Sequence, residues 1–160
     1  ANKPRSLDSK EEEEEEEEDG NSAIRNELDE KKYNPSIFVH RGHSYHTDTT
    51  LRYIDHDAQL IFFGSCGGYR ELETIYEQAP KAQFFGTKGT GAMLENDIIL
   101  KMLNEEILEE KDIVWKDFWE KILKKLPNSN RITQYIPPHN NLGMLFMKAY
   151  HDLMAKSKLE

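Results

Sequence analysis

Three short apolar runs constrain this chain more than any other feature: SIFV (36–39), QLIFF (59–63) and AQFFG (82–86). Each is rich in Ile, Phe or Val, too short for a helix, and followed by a glycine-bearing turn. That is the pattern of strands buried in a parallel sheet. Ile37, Leu60 and Gln83 are spaced 23 residues from one to the next, which suits a tight strand–helix–strand repeat.

Helical patterns fill the intervals. TDTTLRYIDHD sets Leu51 and Ile54 one turn apart, behind Thr47 or Asp48 as cap. YRELETIYEQAP puts Leu72, Ile75 and Tyr76 on one face and closes at Pro80. MLENDIILKMLNEEIL reads as a long amphipathic helix. DIVWKDFWEKILKKLP follows, with Asp112 as cap and Trp115, Trp119, Ile122 and Leu126 in one stripe. The last helix, NLGMLFMKAYHDLM, is capped by Asn140 or Asn141 and presents Leu142, Leu145, Phe146, Ala149, Tyr150 and Leu153. All of these stripes are expected to be core. The alternation predicts an α/β fold, a three-layer sandwich with a mostly parallel sheet.

Charge divides the chain differently. Residues 1–33 carry 6 basic and 13 acidic residues, a net of −7, while the other 127 carry 15 basic and 17 acidic, a net of −2. The acidic block EEEEEEEEDG repels itself and has nothing apolar to bury, so 1–33 is expected to be a disordered lead-in to an α/β domain over 34–157. Within it, NSAIRNELDEKK is a short helix candidate with Asn21 or Ser22 as cap. A near-neutral body with no basic stripe argues against nucleic acid as a partner. No apolar run approaches ~18 residues, so a membrane span is not expected and the chain reads as soluble. It opens on Ala1 without a secretory leader, which leaves it readable as a fragment of a longer protein. A single cysteine leaves the redox compartment undetermined.

In open parallel sheets, ligands and catalytic groups gather beyond the carboxyl ends of the strands. The three runs lead into HRGHSYH (40–46), GSCGGY (64–69) and GTKGTG (86–91), placing His43, Cys66 and Lys88 at nearly the same offset. Adjacent strands lie about 4.8 Å apart, a separation that lets a nucleophile and its base meet. A thiol becomes nucleophilic as thiolate, which an imidazole or a helix start favours. The N–H groups of Gly42 and Cys66 are candidate oxyanion donors. Ser44, Gly67 and Lys88 are candidates for a substrate-pocket wall. GTKGTG lacks the full GxxxxGK[ST] pattern of a phosphate cradle.

Gly-His-Ser after one strand and Cys-Gly after the next resemble the caspase-like cysteine peptidase group: caspases, legumains, gingipains, separase and clostripain. RGHSYH (41–46) is similar to the gingipain-like version, and IFFGSCGG (61–68) to the apolar run that ends in a small residue and then Cys. The resemblance covers roughly residues 36–90. It implies His43 as general base or acid, Cys66 as nucleophile, and the Gly42 and Cys66 amides as oxyanion donors. It implies a peptide or protein substrate and chemistry that needs no cofactor. Ser44 stands where caspases place a glycine. The family's sheet has more strands than these three, which implies strands preceding this segment.

Three other readings compete. GSCGG (64–68) also fits the G-x-C-x-G nucleophile elbow of an α/β-hydrolase, with His139 or His151 as base. His40, His43 and His46 recur every three residues, as zinc ligands can. The third is a non-catalytic α/β interaction domain with an acidic arm.

Overall fold

The computed structural model describes Ala23 and residues 26–110 and 112–157, in two compact units, Ala1–Pro35 and Ser36–Glu160. In the first unit, residues 26–31 are helical, with Lys31 and Glu27 paired at 2.5 Å one turn apart. The expected disorder of the acidic block and the Asn21 or Ser22 cap lie outside the described residues.

The second unit is an α/β fold on a four-stranded sheet. Strands β1 (Ile37–His40), β2 (Leu60–Phe63) and β3 (Gln83–Thr87) run parallel in that order. Ile37 pairs with Leu60, and Leu60 with Gln83, so the 23-residue spacing is the register itself. A fourth strand, β4 (Tyr135–Ile136), adds antiparallel to β3, with Tyr135 against Thr87. At two residues before a Pro-Pro pair, it carries no alternation that a sequence reading can find.

Side-chain alternation sends successive residues of β2 and β3 to opposite faces. On one face Ile61, Phe63 and Phe84 pack with helices α1 (Thr47–Leu51) and α2 (Leu72–Gln78), through Leu51, Ile75 and Tyr76. On the other, Leu60, Phe62 and Phe85 pack with helices α3 (Met93–Leu108) and α4 (Trp115–Lys125), through Ile99, Leu103, Phe118 and Ile122. Phe62, Phe63, Phe84 and Phe85 are fully buried, each removing about 150 Å² or more of apolar surface from water.

Several expectations need correction. β1 is an edge strand and is covered on one face only: Phe38 is buried, but Ile37 and Val39 remain 40 % and 44 % exposed. The α4 cap is Val114, not Asp112, and no side chain bonds it. Thr47 does not cap α1; its hydroxyl donates to the Ser44 carbonyl at 2.7 Å. A 3₁₀ turn, Gly68–Glu71, precedes α2. The largest difference is the last helix, α5 (Leu142–Ser157). Asn141 does accept the Met144 N–H, at 3.1 Å, as a cap should. Yet the apolar stripe assigned to core is exposed, and among the described residues of α5 only Met144 is buried.

Candidate active site at the strand tips

The last residue of β1 is a buried histidine, His40, on which the chain turns. The His40 Nε2 donates to the His43 carbonyl at 3.1 Å, and Nδ1 lies 2.8 Å from the Thr50 hydroxyl, which fills it as donor. That imidazole ties the loop 41–46 to the last turn of α1. His43 itself is exposed and stacks on Tyr45, 5.2 Å between centroids at 10°. It precedes a 3₁₀ turn, Ser44–His46, and its carbonyl also accepts the His46 N–H at 3.1 Å. Arg41 reaches across to Asp97 of α3 at 2.5 Å.

The β2 turn is held more tightly. The Gly64 N–H donates to the His40 carbonyl at 2.8 Å, extending the ladder one residue past the strand. Asn96 of α3 then takes the Gly64 carbonyl through Nδ2 at 3.0 Å, which stops the ladder and lets the two loops part. Ser65 is buried and its carbonyl accepts from the Thr87 hydroxyl. Gly67 adopts φ +69°, the left-handed conformation glycine supplies at least cost, and its N–H donates to the Gly89 carbonyl at 2.7 Å. Between these fixed neighbours stands Cys66, with an exposed side chain.

His43 and Cys66 are each three residues past a register pair, His40 and Phe63. Both therefore occupy adjacent strand tips, and no hydrogen bond joins their side chains among the described residues. The Gly42 and Cys66 amides likewise donate to no group among those residues. Ser44 is exposed, and Lys88 is exposed with its ammonium over the Tyr69 ring, 5.3 Å from the centroid. The ammonium thus has an aromatic partner of its own. Two open cavities, of about 760 Å³ and 900 Å³, are lined by neither His43 nor Cys66.

Two residues missed by sequence reasoning complete the setting. Tyr135 donates to Asn96 Oδ1 at 2.8 Å, and its oxygen accepts the Ala92 N–H at 3.1 Å. Burial raises its phenol above the ordinary value, and the negative charges of Glu95 and of a Cys66 thiolate push the same way. Asn96 was detectable: it interrupts a stripe of Ala92, Ile99 and Leu103 at helical spacing, and a polar residue there needs partners.

The alternative bases lie elsewhere. β4 runs antiparallel to β3, so the chain beyond it heads for the amino ends of the parallel strands and carries His139 away from Cys66. His151 packs its ring 5.0 Å from that of Tyr76. Among the described residues no group of three His, Cys, Asp or Glu side chains is arranged to hold a metal ion, and no helix is long and apolar enough to cross a membrane. Comparison with protein-family models, with curated proteins and with solved structures finds no match to this chain.

Proposed function

We propose that the chain is a cysteine hydrolase acting on a peptide amide, with Cys66 as nucleophile and His43 as its acid–base partner. The observation that carries this reading is the placement of one exposed thiol between braced glycines, level with an exposed histidine on the neighbouring strand tip. His43 takes the thiol proton and Cys66 Sγ attacks the carbonyl carbon. The N–H groups of Gly42 and Cys66 offer the oxyanion hydrogen bonds. His43 then protonates the departing amine, and water hydrolyses the thioester, releasing the acid and restoring the thiol. A missing His43–Cys66 hydrogen bond is compatible with this role, because catalytic bonds in unliganded sites are often long and tighten on substrate binding. The likeness of RGHSYH and IFFGSCGG to caspase-like peptidases supports the same assignment.

The test is turnover of a mixed fluorogenic peptide library. Cys66→Ala is expected to abolish it, and His43→Ala to lower it roughly 10²–10⁴-fold, both with unchanged circular dichroism. Full activity in Cys66→Ala would overturn the assignment. The second reading, a non-catalytic interaction domain, is favoured by one observation, the bare apolar face of α5. It expects no turnover and no effect of either substitution.

A further inference from the structure

Helix α5 is amphipathic the wrong way round for a core helix. Met144 is buried, Met147 is half-buried against the sheet's first-face cluster, and His151 lies against Tyr76. The opposite side presents Leu142, Leu145, Phe146, Tyr150, Leu153 and Met154, with exposures from 41 % at Met154 to 74 % at Leu142. Leu142, Phe146, Ala149 and Leu153 repeat at intervals of four, three and four, the seam of a helix that packs along another helix. The stripe runs the whole of the 16-residue helix, about 24 Å.

We infer that this face pairs with the same face of a second copy of the chain, α5 against α5, antiparallel about a two-fold axis near Ala149. Two observations select a second copy. The area is right: six side chains this open amount to roughly 700 Å² per copy, against ~800 Å² per partner in a standard-size interface. A contiguous apolar patch of that size is more than a soluble monomer usually leaves bare. The stripe is also self-complementary. In the antiparallel register that sets Phe146 against Leu153 of the second copy, Leu153 in turn meets the second copy's Phe146, so the two-fold makes the pair twice. Large residues then face large residues on either side of the two-fold, and the small side chain of Ala149 lies beside it, where two helices approach closely. An isologous contact of this kind closes on itself, so it yields a dimer and no larger assembly.

Analytical ultracentrifugation of the full chain between 1 and 100 µM tests this. The expected result is a dimer, with Phe146→Glu/Leu153→Glu weakening association by at least 100-fold and leaving the circular dichroism unchanged. Val39→Glu, on the exposed apolar face of edge strand β1, should leave the dimer intact. As a check that does not depend on charge insertion, Ala149→Cys in a Cys66→Ala background should form a disulfide-linked dimer under mild oxidation. A monomer at 100 µM, an open-ended aggregate, a dimer broken by Val39→Glu, or failure of the Ala149→Cys cross-link would each overturn the inference. None of these readouts involves catalysis, so the outcome stands apart from the fate of the hydrolase assignment.

Discussion

A methyl group at Gly91 would overlap the Gly64 carbonyl and crowd the Ser65 carbonyl carbon, both of them backbone. Neither can yield without moving the turn that carries Cys66. Gly91→Ala should therefore destabilise the fold by about 1–3 kcal/mol, as overpacking does, and chemical denaturation should show it. Gly42 is the contrasting case. Its methyl would meet the His40 ring at an ordinary 3.6 Å, and its φ is not left-handed. Gly42→Ala keeps the backbone N–H and should leave the stability within the range of a neutral surface substitution, about 0.5 kcal/mol, by the same denaturation. The glycines were legible as turn-formers in the sequence. Their division into braced and free positions was not, because it depends on which loop lies against which.

At the scale of elements, α3 does more than cover the sheet. Its first turns hold the second strand tip through Asn96, join Tyr135 through the same side chain, and reach the first loop through the Arg41–Asp97 pair. The surface ion pair contributes little, roughly 0–1 kcal/mol. The buried amide matters more: Asn96→Ala leaves the Gly64 carbonyl and the Tyr135 hydroxyl short of a partner, a loss of about 1–3 kcal/mol by denaturant titration. The three parallel strands and their register followed from the spacing of Ile37, Leu60 and Gln83 because each repeat is uniform in length. Helix α3 followed from its period, down to its end residues. The fate of α5 did not, since a periodic apolar stripe is the same pattern whether it faces its own sheet or another molecule.

For the whole molecule, the group among the described residues that ties folding to pH on the acid side of neutral is His139. Its Nδ1 is buried without a partner among the described residues. Burial, and then the positive charge of Lys116, lower its pKa from the ordinary 6.5. A depressed imidazole binds fewer protons folded than unfolded, so stability is full above pH 6.5 and falls as pH drops toward the folded value. Thermal melts between pH 7.5 and 5 should show that fall, and His139→Gln should flatten it. The same histidine illustrates what a sequence leaves open. PPHNN offered it as a base for Cys66, and only the antiparallel run of β4 shows that it is carried to the other end of the sheet.

The whole account turns on whether Cys66 and His43 act together. The direct test is the rate of Cys66 alkylation by a small haloacetamide at pH 7, in the native chain and in His43→Ala. Cooperation predicts alkylation at least tenfold faster than that of a free cysteine, falling to the free rate when the imidazole is removed. Equal rates in the two proteins, at or below that of a free cysteine, would contradict the pairing and leave Cys66 an ordinary surface thiol.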